Sequence, residues 1–371
     1  MSLAAHTELL MPEARVGTRR LPRRWMSWAT GAFLAASVAG AFIHRALMAE
    51  AWNEAKAIGV RWWLVLAALV LAHRFVLVVQ QWAAIGTVSF GRMAVAAEAN
   101  LGASNAVVGG SAIGTALRVA MWRSWGVGPL RASVALFVTA LCPSFAMWFI
   151  AGAHTWPDLV SGHADRVDVL IGLGAVGFLV GPLVFWGAAL TQPRCTAWIA
   201  RSVASLADRV ARHLPVVRQL VLRNPIPAVS EEFRSTAWSV LRRRGALILG
   251  GAIASQLLLA MILLASLHAV GAGGGLDGWG VIRAFALVRV VSSFVPIPGG
   301  IGIMELGLVG ALTTAGATRP EAIAALAVYR GLTFFLPILT GAIGALVWRR
   351  RQSVPSDQPV ERFAPVFSIG S

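Results

Sequence analysis

Six charged residues stand inside otherwise apolar stretches of this chain: Arg74, Glu98, Arg118, Arg289, Glu305 and Arg330. A charge at membrane depth costs a few kcal/mol or more, so such residues pair with one another or mark a pathway. Four arginines against two glutamates leave a cationic surplus. If they share one cavity, the missing partner is an anion. A lipid phosphate suits it, because the planar guanidinium fork grips phosphate through two parallel hydrogen bonds. Arg118 lies at the end of its segment, where snorkelling or a structural pairing is the default role; it is kept as a candidate beside Arg74, Arg289 and Arg330.

The second feature is VPIPGGIGIMEL, residues 295–306. Pro296, Pro298, Gly299, Gly300 and Gly302 break an apolar stretch just before Glu305. Irregular backbone at membrane depth is tolerated only where protein or a water-filled cavity satisfies its polar groups. A helix starting there offers free N–H groups to an anion. No Lys-Ser or Lys-Thr follows the glycines, so this is not a nucleotide-binding P-loop.

The elements that must carry these residues are membrane helices. The chain has 371 residues, is 57% hydrophobic and only 13% charged, against about 25% charged in soluble domains. Its net charge of +16 sits in loops and tails between apolar runs, as the positive-inside bias requires, rather than on a nucleic-acid-binding face. Full spans are expected at about 26–48, 62–86, 129–152, 168–190, 245–270 and 321–348. The first is read as an uncleaved anchor. Thr318, Pro320 and Glu321 form a capping-box signature opening the last. Residues 1–24 form a basic cytoplasmic arm, 25–348 the transmembrane domain and 349–371 a cytoplasmic tail. Within the domain, 194–244 is a basic cytoplasmic loop, amphipathic over 199–214.

Two further apolar segments, 93–126 and 279–316, are interrupted by glycine or proline. The arginine-rich termini and the 191–244 segment belong inside and the acidic 153–167 loop outside. That arrangement works only if each broken segment returns to the side it entered from. Each arm of the second has sixteen residues, about 24 Å of helix against a core of about 30 Å. Re-entrant hairpins are therefore expected, although two thin crossings joined by a tight turn would give the same topology. The two segments enter from opposite sides, each between full spans. Ile113-Gly114, Gly126 and Pro129 echo Ile301-Gly302, Gly316 and Pro320. The expected fold is thus an all-α integral membrane protein with about six full spans and two re-entrant or broken hairpins in an inverted repeat, the plan of secondary transporters.

Catalytic signatures are missing. There is no HExxH, no Gly-x-Ser-x-Gly, no metal-ligand spacing, and the two cysteines, Cys142 and Cys195, form no framework. Neither an enzyme nor a cofactor or metal site is expected.

Arg289, the run Pro296-Ile-Pro-Gly-Gly-Ile-Gly302, Glu305, and Arg330 with Pro337 and Gly341 resemble the C-terminal signature of one family. It is the flippase-like membrane domain of lysylphosphatidylglycerol synthases and its stand-alone relatives. The resemblance is clear over about 280–345. The first half departs from it: GGSAIGTALR places Thr115 where a glutamate is usual. The resemblance implies lipid translocation between leaflets of the bacterial inner membrane, with both termini cytoplasmic. The soluble synthase domain is not expected, because nothing after residue 351 could fold into one. Partners would be membrane lipids, anionic, aminoacylated or glycosylated, and no nucleic acid. The alternative is an accessory subunit that binds lipid for a lipid-modifying enzyme without moving it.

Overall fold

The computed structural model describes residues 58–106, 110–162, 166–192, 194–195, 226–272, 275–293 and 303–353. The expected first span, the amphipathic stretch 199–214, most of both terminal arms and the 295–302 motif lie outside them. The described residues are all-helical: α1 Val60–Ile85, α2 Phe90–Ala106, α3 Gly110–Ser124, α4 Pro129–Ser161, α5 Arg166–Thr191, α6 Ile226–Ala269, α7 Gly278–Ser293, α8 Ile303–Thr314, α9 Arg319–Arg330, and α10 Leu336–Ser353. A π-turn, Gly331–Phe335, joins the last two. Among them five helices are long and apolar enough to cross a membrane, counting α9 to α10 as one continuous run. They coincide with the second to sixth expected spans and are consistent with a multi-pass membrane protein.

α1 packs antiparallel on the Arg244–His268 part of α6. Trp62 stacks on His268 at one end, His73 Nδ1 lies 3.3 Å from Ser255 Oγ midway, and Arg244 donates to the Ala83 carbonyl (3.2 Å) at the other. That last contact satisfies one of the carbonyls a helix C-terminus leaves unpaired. Arg234 does the same for α5, donating to Leu190 O at 3.0 Å. Both arginines belong to a stretch read from sequence as loop. It is instead helical from Ile226, because its arginines find acceptors at the ends of two neighbouring helices.

The two short hairpins differ from the long helices in length and partner. α2 (17 residues) lies antiparallel to α3 (15 residues), and α7 (16 residues) packs on α8 (12 residues). At about 1.5 Å per residue all four fall short of a bilayer core of about 30 Å. α2 also packs on α10 and α7 on α4; α1 touches α2 and α4, while α6 touches α7 and α9.

Gly102 and Gly114 of the first hairpin do not interrupt its helices. They let backbones meet. A Cβ on Gly102 would sit 2.5 Å from Pro337 O, and one on Gly341 would sit 2.5 Å from Glu98 O. Gly110 and Gly114 would likewise strike the α2 backbone at Ser104 and Asn100. Small residues at crossings are how membrane helices approach closely, since lipid tails supply no hydrophobic drive for association.

Both hairpins end in the same device. After α3, Gly126 takes φ 86° and Val127 N–H bonds Trp122 O; after α8, Gly316 takes φ 97° and Ala317 N–H bonds Leu312 O. This is the glycine-terminated cap with its six-to-one hydrogen bond. Ser124 and Thr314, at matching places, each bond back to the carbonyl three residues earlier. The next helix then starts at Pro129 or Arg319. At the second junction the expected capping box is present, with Thr318 N–H to Glu321 Oε2 at 2.8 Å and Glu321 N–H to Thr318 Oγ1 at 3.5 Å.

Candidate functional site

The apolar interior is divided. One large cluster surrounds the first hairpin and takes in Val78, Ala252, Phe334 and Ile338. The other surrounds the second and takes in Val70, Ala260 and Tyr329. Between the two, on α1, α6 and the α9–α10 run, buried and part-buried residues turn polar. His73 and Arg74 fall between Val70 and Val78 on α1; Ser255 and Gln256 fall between Ala252 and Ala260 on α6; Arg330 falls between Tyr329 and Phe334. A polar seam thus crosses the middle of the bundle.

Each hairpin sends one carboxylate to this seam, and each carboxylate meets an arginine. Glu98 of α2 lies 3.5 Å from Arg74 of α1, and Glu305 of α8 lies 2.5 Å from Arg330 of α9. The side chains are 13% and 23% exposed in the first pair, 13% and 29% in the second. They are neither sealed in apolar packing nor fully exposed. Glu98 also accepts a hydrogen bond from Thr340 Oγ1 at 2.6 Å, where the Gly102–Gly341 crossing brings α10 against α2.

Arg289, on α7, has no carboxylate partner among the described residues, and its Nε lacks any hydrogen-bond partner. It lies within electrostatic reach of Tyr329, Arg330 and His73. Its guanidinium sits 6.0 Å from the Phe285 ring, as that of Arg330 sits 5.5 Å from Phe334. Aromatic faces therefore support both cations. Such contacts contribute about 0.5–2 kcal/mol, less than the several kcal/mol that burying a charge costs.

The π-turn has a local cause. Pro337 has no N–H, so the carbonyl of Thr333 loses its helical donor. The chain widens, Leu336 N–H reaching back to Gly331 O. Asn105, at the end of α2, fills the gap: its Nδ2 donates to Phe334 O at 3.1 Å and Thr333 O at 3.5 Å. Single-turn π segments of this sort concentrate at functional sites.

The structure brings Arg74, Glu305 and Arg330 to the seam and Arg289 beside them. Arg118 is elsewhere: it is 9% exposed, packed 5.0 Å over Trp122, with no described contact to the other three arginines. Pro296, Pro298, Gly299, Gly300 and Gly302 lie outside the described residues. Sequence reasoning counted Glu98 among the buried charges without giving it a role, and passed over Thr340, Asn105 and Tyr329. Tyr329 carried a signal, being the only tyrosine in the chain and adjacent to Arg330. Among the described residues no group of three or more His, Cys, Asp or Glu could hold a metal ion.

Among the described residues the seam holds three guanidinium groups against two carboxylates. Compared with family models, curated proteins and solved structures, the chain matches none of them.

Proposed function

We propose that this chain is a lipid transporter of the bacterial inner membrane, with cytoplasmic termini, related to the flippase-like membrane domain of lysylphosphatidylglycerol synthases. It moves a lipid with an anionic headgroup between leaflets. The observation that carries the reading is the polar seam: two carboxylate–arginine pairs and a further arginine at mid-bundle, between two apolar cores. A lipid headgroup crossing a bilayer needs such a charged station halfway, with apolar walls for the acyl chains outside it. Arg289 receives the phosphate, flanked by Arg74 and Arg330, which Glu98 and Glu305 hold.

The alternating-access frame is an inverted repeat, α1 to α4 against α6 to α10, with two re-entrant hairpins. Its support is the pairing of contacts: α1–α2 with α6–α7, α1–α4 with α6–α9, α2–α10 with α7–α4, and α2–α3 with α7–α8. The matched glycine caps after α3 and α8 support it too. Transporters of this design place the substrate between the repeats near the midplane.

Leaflet distribution of lipid in a deletion strain, complemented with wild type, Glu305→Gln or Arg289→Ala, tests the proposal. Both variants are expected to be present at normal levels and to fail to restore the distribution. Restoration by both would overturn it.

A further inference from the structure

The proposed reading leaves the headgroup open, and the charge count of the seam narrows it. Three guanidinium groups, Arg74, Arg289 and Arg330, face two carboxylates, Glu98 and Glu305. Arg74 and Arg330 each have their counter-ion in contact. Arg289 has none among the described residues, and residues 294–302, which follow its helix, contain no acid. Among the described residues one positive charge is therefore uncompensated, that of Arg289.

That position has chemistry beside it. Tyr329 is buried and lies within electrostatic reach of both Arg289 and Arg330; its ring meets Phe285 edge-on at 6.4 Å. A phenol can donate one hydrogen bond. The Arg289 guanidinium lies 6.0 Å from the same Phe285 ring, so a phenol donor and a cation without a described counter-ion flank one aromatic, a setting that suits a single oxyanion. An ammonium finds no vacant carboxylate here, since both described glutamates of the seam are already paired.

We infer that Arg289, with Tyr329, is the headgroup anchor and that it selects a singly charged phosphodiester without a compensating ammonium. A doubly charged phosphomonoester brings one negative charge too many, and a zwitterionic headgroup brings a cation that the seam cannot pair. This deepens the proposed function and rests on it for the biological setting, but binding can be measured without transport.

The test is native mass spectrometry of the full chain released from micelles with equimolar phosphatidylglycerol, phosphatidylethanolamine, phosphatidic acid and diacylglycerol. The pH is 8, where the monoester is mostly dianionic. Wild type is expected to retain phosphatidylglycerol about tenfold over each of the others, the size of one charge-assisted contact. Arg289→Gln should bring that ratio to about one, and Tyr329→Phe should lower it about threefold. Arg289→Lys keeps the charge and should retain part of the preference; it serves if the glutamine variant does not fold. Arg319→Gln, on a basic residue outside the seam, should change nothing. Equal retention of phosphatidylethanolamine by wild type, or an unchanged ratio in Arg289→Gln, would overturn the inference. Wild type that shows the selectivity yet moves no lipid in vesicles refutes the transport reading alone. Transport with selectivity indifferent to Arg289 refutes the inference alone.

Discussion

The two hairpins solve one problem in opposite order. In the first, the carboxylate is on the entering arm, and Glu98 reaches back to Arg74 on the preceding long helix. In the second it is on the leaving arm, and Glu305 reaches forward to Arg330 on the following one. The first is locked in place, with backbone-to-backbone contact at Gly102 and Gly341 and a second partner on its carboxylate from Thr340. The second has both its prolines and three of its glycines in the sequence 295–302 between its arms, and Arg289 on its first arm has no carboxylate partner among the described residues. The same helical scaffold thus carries a fixed side and a side with binding capacity to spare. The difference argues that Glu98 holds the frame while Arg289 and Glu305 act on the ligand.

The comparison breaks most readily at the crossing. Gly341→Leu would drive a side chain into the α2 backbone, where even a Cβ is 2.5 Å from an oxygen. A loss of about 3 kcal/mol or more is expected, seen as aggregation or a sharply lower melting point in detergent. A leucine variant as stable as wild type would mean the hairpin is not clamped there.

Next in size is the pair of carboxylate neutralisations. Glu98→Gln leaves Arg74 without its counter-ion and gives Thr340 a neutral acceptor in place of a carboxylate, and should destabilise by about 2 kcal/mol; Glu305→Gln, which frees only Arg330, should cost about 1 kcal/mol. Thermal unfolding of both variants checks the order. On transport the order reverses, with Glu305→Gln losing the larger share. Equal effects on both measurements would erase the proposed division of labour.

The smallest effect belongs to Asn105→Ala. Removing its amide unsatisfies the π-turn carbonyls, at about 1 kcal/mol. Amide exchange at residues 331–337 should speed up with little change elsewhere.

Much of this was legible in the sequence, because helix length and charge are local properties. The long spans, the short arms 280–295 and 301–316 and the Thr318–Glu321 cap follow from apolar run length and cap chemistry. Arg74, Arg289, Glu305 and Arg330 stand out because a charge in an apolar run is visible without a fold. What was not legible depends on which helices touch. Gly102, Gly110 and Gly114 read as breaks, because a glycine facing a neighbouring backbone looks the same in sequence as one that ends a helix. Thr340 and Asn105 are ordinary polar residues until the α2–α10 contact sets them against Glu98 and the π-turn. Residues 226–244 read as loop because their arginines mask the helical pattern, and their acceptors lie on α1 and α5, far along the chain.

The central claim is that the seam is a headgroup station on a path between leaflets. Purified wild type, Arg289→Ala and Glu305→Gln should be reconstituted into vesicles carrying fluorescent phosphatidylglycerol, and the inner-leaflet label made accessible over time should be followed by reductant quenching. The account predicts that wild type exposes the inner-leaflet label and that both variants match protein-free vesicles. Equal exposure by all three proteins, or none by wild type, would contradict it.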